Sequence, residues 1–298
     1  MTAAVLLVVA TGCSSEVDRG AGIRNDLATH AAVAEVQVDD QGAHLEIGLT
    51  PGLAEAAVVA LVAEVDRVTA EQGEPSYLLE LRETDAPDVL AVDEAFAADA
   101  RAAEVVAAWR RSAAAFVGET RVTYESGRTT VEVASGGGLA HDVTESSRLP
   151  LPPQPVTWRY TSGAGTVVLD GKVSDGDIDL VERVQRGVSS PSLPLAAASW
   201  RLERGRSQVR LDLGTDLGPV APADVTPAAW GGRIAPLARS GVAALGRQRR
   251  PVVVRLSHPV GERADVFAWW TSDRPPADGR DRLARGWDAW LVAQSRAI

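Results

Sequence analysis

One spacing recurs four times in this chain and limits what it can fold into. Apolar residues at i, i+2, i+9 and i+11 appear as Val36, Val38, Leu45 and Ile47; as Val122, Tyr124, Val131 and Val133; as Trp158, Tyr160, Val167 and Leu169; and as Trp200, Leu202, Val209 and Leu211. Alternation at period two marks strands with one buried face. A glycine stands between the pairs each time, at Gly42, Gly127, Gly163 and Gly205, and glycine supplies the positive φ that a tight hairpin requires. The pattern predicts four β-hairpins and points to internal duplication.

A longer correspondence links the two ends. The first hairpin is followed by Thr50-Pro51, a helical stretch to Gln72, a strand from Tyr77 to Glu83, the apolar run Val89 to Val92 and a helix carrying Trp109. The fourth is followed by Thr226-Pro227, a helical stretch to Gln248, a strand from Val252 to His258, the run Val266 to Trp269 and a helix carrying Trp287. Leu53, Ala57, Leu61, Val65 and Val68 share one helical face, as do Val105, Trp109, Ala113 and Phe116. Thr50 and Thr226, each followed by proline, have the chemistry of helix starts.

The middle carries two of the hairpins and a helix over 177–187, but Gly136-Gly137-Gly138 and the proline-rich 149–155 stand where the first helix of a unit is expected. Read from each second hairpin strand onward, the order is β-α-β-β-α-β, the ferredoxin-like order. The expectation is an α+β fold of tandem ββαββα units, two clear and one degenerate. Residues 33–118 are expected to form the first unit, 119–190 a degenerate middle unit or a hairpin-rich linker, and 198–298 the last. Residues 1–12 read as a signal peptide and 13–32 as a linker.

The chain has a formal charge of -10, which disfavours nucleic acid, whose binding depends on clustered cations. Lys172 is the only lysine and Cys13 the only cysteine, so neither internal disulfides nor a cysteine metal cluster can staple the fold. The lone thiol has another use. The apolar run 3–10 leads into Thr11, Gly12 and Cys13, followed by the polar stretch 14–19. This resembles the lipobox of bacterial lipoproteins, and the arginine-for-lysine bias resembles that of actinobacteria. The resemblance implies cleavage before Cys13, its acylation with palmitate-type chains, and display on the outer face of the cytoplasmic membrane. The run is shorter than the roughly 20 residues a spanning helix needs.

Chemistry-bearing groups are sparse. Of the histidines His30, His44, His141 and His258, none sits in a recognisable catalytic motif. The run Ser135 to His141 has the glycines of an oxyanion loop but lacks the matching nucleophile elbow. Asp175, Asp177 and Asp179 alternate like the start of a calcium loop, yet Leu180 and Arg186 occupy positions that need Gly and Glu; their plainer role is at a helix N-terminus. The basic run Arg247 to Arg250 suits the end of a helix. Tryptophan is over-used, with eight against three Phe and three Tyr. Trp287 and Trp290 have core spacing, whereas adjacent Trp269 and Trp270 must point to opposite faces of a strand. These two are the candidate aromatic binding residues.

The sequence thus supports a non-catalytic envelope lipoprotein, lipid-anchored at Cys13, that binds or scaffolds an envelope protein or glycan and needs no cofactor, no metal and no nucleic acid. An enzyme or small-ligand receptor with a site between units is the alternative.

Overall fold

The computed structural model describes residues 19–297 apart from 75, 85, 137, 153, 261–262 and 274–281. It is an α/β protein in which hairpins alternate with helices. After helix α1 (Arg19–Leu27) come strands β1 (Val33–Val38) and β2 (His44–Leu49) and helix α2 (Glu55–Glu71). The unit then repeats as β3 (Leu78–Glu83), β4 (Val89–Asp93), α3 (Ala102–Ala115), then β5 (Thr120–Glu125), β6 (Arg128–Ala134), α4 (Leu139–Arg148). It continues as β7 (Val156–Ser162), β8 (Gly165–Asp170), α5 (Asp175–Val188), then β9 (Ser199–Arg204), β10 (Val209–Gly214), α6 (Pro227–Leu245), and closes with β11 (Val252–Val260), β12 (Arg263–Thr271) and α7 (Arg282–Ser295).

The four hairpins of the spacing template are β1–β2, β5–β6, β7–β8 and β9–β10, each paired antiparallel. Between β5 and β6 the loop is Ser126-Gly127, both at positive φ (47° and 75°). Those are the angles of a type I′ turn, whose twist matches that of the strands it joins.

The separate ferredoxin-like sandwiches do not form. Helices α2 to α6 each return the chain to the strand beside the one it left, so β2 pairs with β3, β4 with β5, β6 with β7, β8 with β9 and β10 with β11, all parallel. The result is one mixed sheet of twelve strands in sequence order. The helices lie along one face of the sheet, each packing on the next from α1 through α7.

The middle is a regular part of this repeat. Helix α4 follows the glycine run directly, with Leu139 and Val143 buried against the sheet. The stretch read as a linker contains α1, which buries Ile23 and Leu27. Thr226 caps α6 as its sequence suggests, accepting from the Ala229 N–H at 3.2 Å. Thr50 does not cap α2; it donates to the Ala31 carbonyl at 3.0 Å, and α2 starts at Glu55.

The core is continuous between sheet and helices. Leu45, Ile47, Leu79, Leu81, Leu90, Val92, Val122, Val131, Trp158, Val167, Leu202 and Leu211 line it from the strands, each almost fully buried. The tryptophans at hairpin starts lie inside it: Trp158 stacks on Tyr160 at 6.4 Å, and Trp200 packs where Gly165 leaves room, since a Cβ there would lie 2.5 Å from the indole. Trp287 is fully buried and donates to the Val225 carbonyl at 2.6 Å.

Candidate functional site

With all helices on one side, the other face of the sheet has no layer over it. Alternation along each strand puts every second residue there, and most of these residues are polar. Two rungs cross several strands in register: Arg121, Glu132, Arg159, Val168, Glu203, Arg210 and Val253; and Thr166, Arg201, Asp212, Arg255 and Trp269. Opposite charges meet along them. Arg159 reaches Glu132 at 2.8 Å, Arg210 pairs with Glu203, and Arg255 holds Asp212 through two hydrogen bonds of 2.6 Å. Hydrogen bonding to Asp212 raises the Arg255 pKa, keeping the guanidinium charged. Small apolar residues lie between the long ones: Val89, Ala91, Val168 and Val253 are buried yet belong to no part of the core. Flanking arginine and glutamate stems account for their burial.

Near the C-terminal end this face carries a groove of about 370 Å3, lined by Thr166, Ser199, Arg201, Asp212, Gly214, Arg255, Ser257 and Val266. Small residues make the floor and the charged pair makes one wall. Trp269 sits opposite Arg255 in the β11–β12 register and is 39% exposed. Its neighbour Trp270 lies opposite Val254 and packs against the core. The two candidate aromatics are therefore divided by the strand, and only Trp269 presents its ring outward. The Trp269 N–H donates to Asp288 of α7 at 2.7 Å, which fixes this strand in place.

At the opposite end of the same face, His44, Glu46 and Glu80 bring their ligand atoms within 4.8 Å of one another. His44 and Glu46 alternate on β2, and Glu46 lies directly across the parallel register from Glu80. Arg121 at 2.6 Å holds the Glu80 carboxyl below its ordinary pKa, aided by Arg82 at 3.3 Å. Nothing in the sequence joined these residues, because the register between β2 and β3 is set by the α2 crossover.

The remaining candidates are dispersed. His141 is exposed on α4, whereas His258 is buried with its Nδ1 3.0 Å from the Thr215 carbonyl oxygen. The Ser135 N–H is occupied by the Thr161 carbonyl at 2.8 Å. Asp177 is used structurally: it accepts from the Ser174 N–H at 2.9 Å and from Arg204, so the aspartate triplet starts α5 instead of forming an ion loop. Arg250 donates to the Gly205 carbonyl at 2.8 Å. Cys13 lies outside the described residues. Among the described residues no helix is long and apolar enough to cross a membrane.

No family model matches the chain, and neither curated proteins nor solved structures give a match.

Proposed function

We propose that the chain is a lipoprotein of the cell envelope, anchored at Cys13 outside the cytoplasmic membrane, and that the bare sheet face is its binding surface. The observation that carries this reading is the exposed Trp269 beside a groove of mixed polar and apolar lining on a face that no helix covers. A twelve-stranded sheet ordinarily buries both faces or curls up. Leaving one side clear across its whole width gives a broad rigid platform. Rigid elements hold a binding constellation more precisely than loops do.

The lining, which sets hydroxyls and an ion pair among apolar Ala164, Trp200 and Val266, suits a glycan, whose rings have both polar edges and apolar faces. Hydroxyls of Thr166, Ser199 and Ser257 and the Arg255–Asp212 pair offer donors and acceptors to a polyhydroxylated ligand, and an indole gives a flat apolar surface against which a sugar ring can lie.

The test is cosedimentation of the purified chain with insoluble bacterial cell-wall glycan. Trp269→Ala is expected to keep the fold, because the ring is partly solvated, and to weaken binding at least tenfold, about 1.4 kcal/mol. Trp270→Ala is unsuitable for this purpose because it opens the core. Equal binding by wild type and Trp269→Ala would remove the groove from consideration.

A further inference from the structure

We infer that His44, Glu46 and Glu80 form a binding site for a zinc-class divalent cation on the bare face of the sheet, independent of the groove beside Trp269. Three observations carry it.

The first is geometry. Ligands about 2.1 Å from a tetrahedral zinc ion lie about 3.4 Å from one another. His44 Nε2 and Glu80 Oε1 are 3.7 Å apart, close to that edge without forming a hydrogen bond. Glu46 completes the triangle within 4.8 Å, and its side chain is partly exposed, so a change of side-chain torsion suffices to bring it in.

The second is that the histidine of the triad presents an unsatisfied ring nitrogen towards the carboxylate. His44 Nε2 is shielded from solvent and has no hydrogen-bond partner, which is a costly state for a ring nitrogen. The Glu80 side chain is nine-tenths buried, with its carboxylate oriented by Arg121 and Arg82. Glu46 makes no ion pair among the described residues, although it faces Glu80 directly across the register.

The third is access. A depression of about 430 Å3, lined in part by Glu35, Gln37, Glu46, Gly48 and Arg82, opens at Glu46 and gives a solvated ion a way to this residue. The imidazole selects the class of ion, because magnesium and calcium prefer all-oxygen sets.

The test is calorimetric titration of the EDTA-treated, purified full chain with zinc chloride. One zinc per chain is expected, with affinity reduced at least tenfold in Glu46→Gln and in His44→Ala. His141→Ala, altered on the exposed surface of α4, is expected to bind like the wild type, which separates the triad from adventitious histidine binding. Glu46→Gln preserves side-chain shape on a partly exposed position, so circular dichroism should show a native fold and its affinity decides the matter should His44→Ala misfold. Absence of zinc binding by the wild type, or unchanged affinity in Glu46→Gln, would overturn the site.

Discussion

Arg204→Ala is expected to destabilise the fold by about 3–5 kcal/mol, the cost of breaking a buried ion pair by removing one partner. Arg204 is 9% exposed at the end of β9, and Asp177 is equally hidden in the first turn of α5. The guanidinium meets both carboxylate oxygens, at 2.8 and 3.1 Å, and also donates to the Asp170 and Lys172 carbonyls. One side chain thus ties β9, the β8–α5 turn and the helix start together. Alanine would leave the aspartate charge and two carbonyls without this partner in a place water reaches poorly. Urea unfolding should show a lower midpoint for Arg204→Ala, and Arg204→Met with Asp177→Asn should recover part of the loss, because removing both charges leaves none stranded. A loss below about 1 kcal/mol would mean that the pair is screened like a surface ion pair.

Cys13→Ala is expected to move the protein from the membrane fraction to the soluble fraction completely. Each buried methylene contributes about 0.8 kcal/mol to an acyl anchor, and two or more chains on one cysteine make a hold that does not reverse. The rest of the chain offers little to replace it. Its charge of -10 is repelled by anionic lipid, and no helix among the described residues can span a bilayer. Fractionation of cells expressing each form measures this directly. A Cys13→Ala chain that stays with the membranes would refute the anchor.

Much of the fold was legible because the strands alternate cleanly. Leu79, Leu81, Leu90 and Val92 mark a hairpin as plainly as the four template copies, and the division of Trp269 from Trp270 follows from period two alone. Helix α4 was hidden by its composition. Its Ser and Thr residues ordinarily favour turns, but Thr144 and Ser146 bond back to the Ala140 and Asp142 carbonyls and so fit within the helix. The preceding glycines strengthened the wrong reading.

The continuity of the sheet was illegible for a different reason. Alternation says which side a residue faces and nothing about which strand lies beside it. The ferredoxin-like order is equally satisfied by closed sandwiches and by a sheet that adds a hairpin at each crossover. The outcome depends on where α2 returns the chain, and the pairing of Glu46 with Glu80 depends on it too. The groove beside Trp269 was invisible on the same ground, since Thr166, Arg201, Asp212 and Arg255 come from four strands.

The decisive measurement for a bare sheet as the working surface is crosslinking in intact cells from one residue on each side of the molecule. A photoreactive side chain at Thr166, which lines the groove, is compared with one at Arg186, whose side chain is 77% exposed on α5. Retention in the detergent-insoluble wall fraction after irradiation from Thr166 and not from Arg186 is the expected result. Retention from Arg186 alone would place the binding surface on the helices and contradict the account.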